Sequence, residues 1–342
     1  MRAVQYTGPR EVPRLVDLPD PGCPDDGVVV RVGATGVCRS DWHAWAGHDP
    51  VPLPHVPGHE LAGTVHAVGA AVRDWSVGDR VTVPFVCGCG RCTYCRDGDT
   101  HVCPDQTQPG FTGPGSFAEL VALRAADTNL VRLPDDLDLV TAASLGCRLA
   151  TAYRAVVTHG RTGPGDWLVV HGCGGVGLSA LLVGAALGAR VVAVDVSEEA
   201  LARAAELGAV ATVRATDPVP EVRDLTDGGA HASLDAVGSP ATAVASVRSL
   251  RRRGRHVQVG LLLGEQATPP LPMDLVVAHE LEVLGSHGMP AHQYPELLDL
   301  VTSGRIDPGL LVGRVIGLDE AGAALVSMSG PATTTGMTVV RL

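Results

Sequence analysis

Aromatic side chains are scarce in this 342-residue chain, at 3% of residues, and basic side chains are outnumbered, with 26 Lys and Arg against 37 Asp and Glu. The resulting formal net charge of −11 argues against a large binding surface for nucleic acid or for an anionic membrane. Hydrophobic residues make up 45% of the chain, which is a globular composition. We interpret the one basic run, residues 251–255, as a solvated helix end rather than a phosphate-binding patch.

The chain also lacks an uninterrupted apolar segment near its N-terminus, because charges and prolines interrupt residues 1–22. We therefore expect no secretory signal and a cytoplasmic location. Residues 167–189 carry no formal charge and resemble a membrane span by hydropathy alone. The glycines within them indicate a strand, a loop and a helix instead, so we expect no membrane segment.

A cytoplasmic chain keeps its nine cysteines reduced, so a cluster of them indicates a metal site rather than disulfides. Cys89, Cys92, Cys95 and Cys103 follow the spacing C-x2-C-x2-C-x7-C. Four thiolates close a tetrahedral zinc site and leave no position for a substrate, which predicts a structural zinc. Cys87 lies outside this spacing, although it could exchange with Cys89.

A second set of possible ligands is dispersed: Cys38 in GVCRSDWH, His59 in GHE and Cys147 in LGCRLATAY. Two thiolates and an imidazole would leave one of the four positions of zinc open, as a catalytic zinc requires. Taken alone, each residue reads as a buried cysteine or an ordinary polar histidine. We infer a catalytic zinc because the set occurs together with a dinucleotide-binding pattern.

That pattern is the stretch GCGGVG at residues 172–177, which matches G-x-G-x-x-G between an apolar run and a helical pattern. In this motif the glycines permit a tight turn, close approach of backbone to a pyrophosphate, and close packing of helix on strand. Asp195 ends the next apolar run, where its carboxylate would accept hydrogen bonds from a ribose 2′-OH and repel a 2′-phosphate. Because Val196 and Ser197 offer no arginine for such a phosphate, the pattern favours NAD over NADP. The alternative is that Asp195 only caps the helix that starts near Ser197.

The length of the chain predicts two domains, because 342 residues exceed what a single core usually supports. Up to about residue 125, short alternating runs predict a β-rich, barrel-like domain. From about residue 150, strands and helices alternate at the spacing of βαβ units, which predicts a doubly wound parallel sheet. The tail beyond about residue 286 is too short for a domain, so we expect it to rejoin the first. The predicted domains are residues 1–149 with 285–342, and residues 150–284.

Together these motifs resemble the zinc-dependent medium-chain alcohol dehydrogenases, and the resemblance covers essentially the whole chain. GVCRSDWH, GHE, the four-cysteine lobe at about residues 87–103, GDRV, GCRLATAY, GxGGVG and VQVGL occur in the order of that family. The resemblance implies an α/β fold with a GroES-like β-rich catalytic domain interrupted by a Rossmann domain. It also implies two zinc ions per chain, one catalytic on Cys38, His59 and Cys147, and one structural on the four clustered cysteines.

The resemblance assigns roles around the catalytic zinc. Glu60 resembles a glutamate that approaches the metal during ligand exchange, and Asp41 a carboxylate that orients the histidine ligand. Ser40 matches the hydroxyl that receives the substrate proton, and His43 the histidine that passes it through the cofactor ribose to solvent. The implied substrate-pocket walls are Trp42, Phe85 and Phe117, with core packing as the alternative for Phe117. The implied cofactor-binding residues are Arg39, Thr151, Gly172, Gly174, Gly175, Val176, Gly177, Asp195, Val259, Gly260 and Leu261.

Two departures from the family stand out. The lysine often found five residues after the ribose carboxylate is Ala200 here, which removes one adenosine contact. Arg148 takes the place of a small residue in some relatives, and could reach the cofactor, the substrate or only Glu60.

The implied activity is reversible, NAD-linked oxidation of primary or secondary alcohols to aldehydes or ketones, with a small-molecule substrate and a homo-oligomer, a tetramer or a dimer. Alternatives on the same fold are a polyol, threonine or thiol-adduct (formaldehyde type) dehydrogenase. Cys147 disfavours those that use glutamate as third ligand, whereas a thiol adduct would need a charged pocket, which Arg148 leaves open. A non-catalytic zinc and dinucleotide-binding sensor would be expected to lose residues that this chain keeps.

Overall fold

The structure, a computed structural model, describes residues 1–330 and 336–342, and the chain divides into two compact units. Unit 1 comprises Met1–Ala150 and Gly288–Leu342, and unit 2 comprises Thr151–His287. The chain therefore leaves unit 1 once, builds unit 2 and returns. The chain changes unit after residues 150 and 287, which is one and three residues later than the boundaries 149/150 and 284/285 expected from the sequence.

Both units consist of short strands and helices. In chain order the strands are β1 Arg2–Gln5, β2 Arg14–Asp17, β3 Val28–Val37, β4 Glu60–Val68, β5 Arg80–Thr82, β6 Leu120–Leu123, β7 Val131–Arg132, β8 Trp167–His171, β9 Arg190–Val194, β10 Ala211–Val213, β11 Ala230–Asp235, β12 Leu250–Gln258, β13 Glu282–Gly285, β14 Val312–Gly317 and β15 Met337–Arg341. The α-helices are α1 Arg39–Trp45, α2 Thr93–Arg96, α3 Ala126–Asn129, α4 Leu139–Ala143, α5 Ala150–Arg154, α6 Gly175–Ala186, α7 Glu198–Glu206, α8 Val219–Leu225, α9 Pro240–Arg248, α10 Met273–Ala278, α11 Tyr294–Thr302 and α12 Ala321–Ser327. Two π-helical turns, Leu145–Leu149 and Ala155–His159, flank α5.

Unit 1 is built around β3, whose valines are all buried and suit a strand that packs in the core. β3 pairs antiparallel with β4 along one edge, and with β6 and then β15 along the other. The sheet order is β14-β15-β3-β4-β5-β7, with β6 also on β3. The C-terminal strand β15 thus lies against β3, which returns the tail of the chain to unit 1. The register that pairs Gly36 with Glu60 brings the ends of β3 and β4 together.

Unit 2 holds a six-stranded parallel sheet in the order β10-β9-β8-β11-β12-β13. Counted within the unit, this order is 3-2-1-4-5-6, the doubly wound order of Rossmann folds. The central strands are apolar along their length because helices cover both faces of such a sheet. The predicted doubly wound parallel sheet is confirmed. Strand order reverses between β8 and β11, so the carboxyl ends of these two strands mark the expected ligand crevice.

The apolar stretch at residues 167–189 contains strand β8, a glycine loop and helix α6, as predicted. Its hydropathy reflects burial inside unit 2. Within residues 1–330 and 336–342, none of the helices combines the length and the apolar character that crossing a membrane would take.

The interpretation of residues 251–255 as a helix end is wrong. Helix α9 ends at Arg248, and the arginines lie in β12. β12 pairs with β13, so its arginines lie near an acidic residue that precedes β13. Arg253 Nη1 lies 2.6 Å from Glu280 Oε2. The run forms the solvated first half of β12, which lies inside the sheet between β11 and β13.

Two glycines of the loop after β8 differ in the space around them. A Cβ atom on Gly177 would lie 1.7 Å from the carbonyl oxygen of Gly172, whereas one on Gly174 would meet no heavy atom within 4 Å. Gly177→Ala therefore forces helix α6 away from the turn, and we expect it to lower the free energy of unfolding by about 1–3 kcal/mol.

Gly174→Ala is the matched control, and its effect should stay within about 0.5 kcal/mol. Urea unfolding followed by circular dichroism measures both variants. Equal losses in the two would contradict the assignment of close packing to Gly177 alone.

Candidate active site

The N-terminus of α1 carries the first ligand candidate and the residue that organises the site. Cys38 occupies the N-cap position, and its backbone N–H donates to Asp41 Oδ2 at 3.0 Å. Oδ1 of the same carboxylate accepts from the Gly58 N–H at 3.0 Å and lies 2.9 Å from His59 Nδ1. Asp41 is fully buried, so these three hydrogen bonds satisfy a carboxylate that water does not reach.

His59 is the second ligand candidate. Because the Asp41 carboxylate only accepts hydrogen bonds, His59 Nδ1 carries the proton and Nε2 presents a lone pair. Nε2 is buried and has no hydrogen-bond partner among the described residues. Burial disfavours the charged imidazole, but the Asp41 carboxylate outweighs it and raises the pKa of His59 well above its usual value, which favours a positive charge at Nε2. A metal cation bound to Nε2 would take the place of that proton and give this buried nitrogen a partner.

Cys147 completes the set from the first π-helical turn. One ligand atom each from Cys38, His59, Glu60 and Cys147 lies within 4.8 Å of the others, and all four residues are buried. A hydrogen bond from Cys147 lowers the pKa of the Cys38 thiol well below its usual value, whereas this bond and burial raise the pKa of Cys147. Two sulfurs and a free imidazole nitrogen match the donors that zinc prefers.

Glu60, the fourth member, is held by Arg148, which sequence reasoning left with three possible partners. The Arg148 side chain forms a buried ion pair with the Glu60 carboxylate. Burial raises the pKa of Glu60, and the guanidinium opposes that shift. The same pair raises the pKa of Arg148 despite its burial, so the arginine stays charged.

The four clustered cysteines come together in the lobe around α2. Cys89, Cys92, Cys95 and Cys103 offer sulfurs that all lie within 4.8 Å of one another. Backbone hydrogen bonds lower the pKa of the Cys89 thiol to about 6, while burial raises that of Cys95 to about 12. Four sulfurs this close together suit one zinc ion with no open position.

Cys87 stays outside this cluster. It packs in the core of unit 1, and its thiol donates to the Pro84 carbonyl at 3.5 Å. Burial raises the pKa of this thiol to about 12, so Cys87 remains a protonated core side chain.

Proton-carrying groups follow on α1 and the turn after it. Ser40 Oγ lies 3.9 Å from Cys38 Sγ. His43 Nδ1 lies 3.1 Å from Nδ1 of His48, an exposed residue that sequence reasoning missed. Gly47, at φ +81°, turns the chain so that the His48 N–H returns to the His43 carbonyl at 2.9 Å. Burial, then the charges of His48 and Arg39, lower the pKa of His43.

The aromatic residues divide between the ligand cluster and the core. Phe85 and Phe111 stand against His59, with ring centroids 6.0 and 5.0 Å from the imidazole. Phe117 is fully buried in a core cluster of unit 1, which agrees with the alternative that this side chain packs in the core. Trp42 turns toward the C-terminal part of the chain, where its indole N–H donates to Ser329 at 2.9 Å. Phe111 had no sequence signal, because it lies in an irregular loop.

The dinucleotide pattern lies at the carboxyl end of β8. Gly172 has φ +93°, and the space beside Gly174 is open. Helix α6 begins at Gly175 without a side-chain cap, so its first N–H groups are free to bind an anion. Asp195, after β9, accepts the N–H groups of Cys173 at 2.7 Å and Ser197 at 2.8 Å. This glycine cradle and the helix start fit a pyrophosphate.

Arg214 is a second residue that sequence reasoning missed. β10 lies parallel to β9, and the Asp195 N–H donates to the Val213 carbonyl at 3.2 Å, so the residue after β10 comes next to Asp195. The Arg214 Nε donates to the Val196 carbonyl at 3.2 Å, and the side chain is 58% exposed. Arg214 also pairs with Glu198 at 3.4 Å, so an arginine contacts the segment that directly follows Asp195, although none occurs within that segment in sequence. Only strand pairing could have revealed it.

The other predicted cofactor residues are placed as follows. Thr151 has a buried hydroxyl without a hydrogen-bond partner in the described chain, and Val176 is half-buried in the first turn of α6. Val259, Gly260 and Leu261 follow β12, where a Cβ on Gly260 would lie 2.2 Å from the Gly238 nitrogen. Arg39 stacks over Trp42 and donates to the Met328 carbonyl at 2.5 Å, so its guanidinium is already engaged.

Comparison with known proteins gives the same assignment for both parts of the chain. Residues 24–135 match the alcohol dehydrogenase GroES-like domain family, and residues 175–303 match the zinc-binding dehydrogenase family. The chain is 33% identical to an alcohol dehydrogenase of Geobacillus stearothermophilus, over 90% of each chain. It is 34% identical to an NAD-dependent alcohol dehydrogenase of Sulfurisphaera tokodaii, over 95% of each. The structure of an alcohol dehydrogenase from Thermus sp. ATN1 superimposes with a TM-score of 0.92 at 32% identity and full coverage of both chains.

These matches confirm the resemblance and the fold class predicted from the sequence, a GroES-like domain with a Rossmann-like parallel-sheet domain. The two ligand clusters fit two zinc ions, as expected for a zinc-binding dehydrogenase with NAD-dependent relatives. The chain therefore belongs to the zinc-dependent alcohol dehydrogenases of the medium-chain dehydrogenase/reductase superfamily, which are oxidoreductases that act on alcohols.

Proposed function

We propose that this chain catalyses the reversible oxidation of primary or secondary alcohols to aldehydes or ketones, with NAD as hydride acceptor. The observation that carries the proposal is the unpartnered His59 Nε2, buried beside the sulfurs of Cys38 and Cys147. These three residues would hold the catalytic zinc, and the four-cysteine lobe the structural one. Zinc at the three-ligand site would supply a Lewis acid that lowers the pKa of an alcohol hydroxyl.

The residues around the ligand cluster orient and shield the substrate. Asp41 holds the His59 ring in the tautomer that leaves Nε2 available, because it accepts the proton-bearing Nδ1. Phe85 and Phe111 line His59 with apolar surface, which excludes water and favours a substrate with an apolar substituent.

Ser40 and His43 would carry the alcohol proton away, and the contact between His43 and His48 extends this path to an exposed imidazole. At 3.1 Å one Nδ1 must donate and the other accept, so a proton can pass between the rings. His43 accepts a proton only when neutral, and its lowered pKa keeps it neutral to more acidic pH.

The cofactor would bind through its pyrophosphate at the Gly172–Gly177 turn and the N-terminus of α6, and through its adenosine ribose at Asp195. We propose NAD over NADP because the Asp195 carboxylate would repel a 2′-phosphate. The buried hydroxyl of Thr151 and the turn formed by Val259, Gly260 and Leu261 are our candidates for the nicotinamide side. We keep a homo-oligomer, tetramer or dimer, and a cytoplasmic location as predictions from the sequence.

The position of Arg148 bears on the alternative activities. Its guanidinium is buried and engaged by Glu60, so it offers no charge to an anionic thiol adduct. This disfavours hydroxymethyl thiols, and Cys147 in the ligand cluster disfavours the dehydrogenases that use glutamate as third ligand, so simple alcohols are our preferred substrates.

We expect two zinc ions per purified chain and NAD-dependent oxidation of simple aliphatic, benzylic or cyclic alcohols. Cys147→Ser removes one thiolate from the three-ligand set, so the variant should retain about one zinc and lose nearly all turnover. Plasma mass spectrometry measures the metal, and NADH absorbance measures the activity.

Cys23→Ser is the matched control, because Cys23 is an exposed free thiol outside both clusters. It should keep both zinc ions and full activity. A Cys147→Ser protein with two zinc ions and wild-type turnover would refute the three-ligand assignment.

Neutralising Asp195 should relax the choice of cofactor. In Asp195→Asn the carboxylate charge is gone while Arg214 remains beside the site, so we expect kcat/KM with NADP to rise about 10- to 100-fold, the value of one charge-assisted hydrogen bond.

Adding Arg214→Ala should abolish that gain and leave kcat/KM with NAD within about twofold of Asp195→Asn alone. Binding of NADPH and NADH, followed by fluorescence, separates affinity from turnover. A wild-type protein that prefers NADP would overturn the proposed role of Asp195.

The proton path predicts a pH effect. His48→Gln removes an imidazole whose charge lowers the pKa of His43, so the acidic limb of the kcat profile for alcohol oxidation should move to higher pH. His43→Gln removes the acceptor itself, and should lower kcat on the order of 10²-fold and flatten that limb. Profiles with and without added imidazole buffer measure both effects, and a limb unchanged in both variants would exclude the path.

A further inference from the structure

Arg148 connects all three segments that carry the proposed zinc ligands. It directly follows Cys147 in the chain, its carboxylate partner Glu60 directly follows His59, and its other acceptor, Val37, directly precedes Cys38. The Arg148 guanidinium therefore contacts the residues next to His59 and Cys38, and Arg148 is itself the residue next to Cys147.

The contacts are numerous and specific. Arg148 Nε donates to Glu60 Oε1 at 2.9 Å and to Oε2 at 3.1 Å, and Nη2 donates to Oε2 as well. Nη2 also donates to the Val37 carbonyl at 3.2 Å, and the backbone N–H of Arg148 donates to Glu60 Oε1 at 3.2 Å. Arg148 is 7% exposed and Glu60 0%, so water does not compete for these bonds.

The Arg148–Glu60 pair fits against the backbone because the facing residue, Gly36, has no side chain. Gly36 lies across from Glu60 in the β3–β4 register. A Cβ atom on Gly36 would lie 2.1 Å from Glu60 Oε2 and 3.0 Å from Arg148 Nη2. The glycine is therefore required for the side chains to pair where they do.

The Glu60 carboxylate is also within reach of the proposed metal position. One of its carboxylate oxygens lies within 4.8 Å of the ligand atoms of Cys38, His59 and Cys147. Carboxylate oxygen is an accepted zinc ligand, and a fourth ligand would close a tetrahedral site to substrate. The fourth zinc position is therefore open when the Glu60 carboxylate contacts Arg148, and closed when the carboxylate contacts the metal.

We propose that Arg148 is a positioning residue that holds the Glu60 carboxylate off the fourth coordination position and keeps the three ligand segments together. The inference rests on the proposed zinc at Cys38, His59 and Cys147. The bidentate pairing satisfies both carboxylate oxygens at once, which a lysine in this place could not do.

The test uses the full chain with Co²⁺ in place of zinc, and imidazole as the probe for the open position. In wild type, imidazole should shift the visible cobalt bands. In Arg148→Met the freed Glu60 occupies the position, so the apparent affinity for imidazole should fall at least tenfold while both metals remain bound. Release of cobalt to a chelator should slow at least threefold in the same variant.

The double variant Arg148→Met/Glu60→Gln separates positioning from simple packing. A glutamine side chain carries no charge to compete for the metal, so the double variant should recover imidazole affinity to within threefold of wild type. Glu60→Gln alone is the matched control and should bind imidazole like wild type. Cobalt in the four-cysteine lobe should respond in none of the variants.

Arg148→Met leaves a buried carboxylate without its partner and could fail to fold. Arg148→Lys keeps the charge but forms a single-point contact, and is the second variant. It should bind imidazole between threefold and tenfold more weakly than wild type.

Unchanged imidazole affinity in Arg148→Met, or in Arg148→Lys if the former does not fold, would overturn this inference and leave the proposed function intact. A folded double variant that stays as weak as Arg148→Met would overturn it too, because the arginine would then act through packing alone. A wild-type protein that takes up cobalt only in the four-cysteine lobe would overturn the proposed function, and this inference with it.

Discussion

The buried Asp41 carboxylate accepts hydrogen bonds from the Cys38 and Gly58 N–H groups and from His59 Nδ1, and the rest of the ligand cluster depends on them. The first bond fixes the start of helix α1, from which the Cys38 sulfur projects. The third fixes the tautomer of His59. A buried carboxylate costs free energy unless it is hydrogen-bonded, and here three donors from two segments bond to its two oxygens. One side chain therefore sets the place of one ligand and the proton state of another.

The two metal clusters show how the surroundings of similar sulfurs decide their use. The four-cysteine lobe has partly exposed sulfurs and little apolar core of its own, so a metal is its main cross-link. The Cys38–His59–Cys147 cluster is buried within unit 1, and its donors are oriented by Asp41 and by the Arg148–Glu60 pair before any metal arrives. The first cluster therefore suits a structural role, and the second suits a site with one position held open.

Local patterns account for much of what could be predicted. The cysteine spacing at Cys89–Cys103 and the glycine motif at 172–177 indicate chemistry that depends on residues close in sequence, and the alternation of apolar runs indicated the parallel sheet. The role of the run at 251–255 was missed because arginines at the solvated start of a strand and at a helix end leave the same composition. Phe117 was predicted as a pocket wall with core packing as the alternative, and Phe111 was not singled out, since burial of an aromatic in a loop depends on which strands the loop crosses.

The sequence by itself determined the kinds of groups present and their order: two sets of candidate zinc ligands, a glycine turn proposed to bind phosphate, and the carboxylate of Asp195 proposed to bind ribose. Only the tertiary structure decided which of these groups have neighbours that modify them. Arg148 meets Glu60, 88 residues away, because the turn Leu145–Leu149 packs against β4, and Arg214 meets the loop after Asp195 through the pairing of β10 with β9. Packing and strand pairing join residues without regard to their separation along the chain, so no local pattern encodes these contacts.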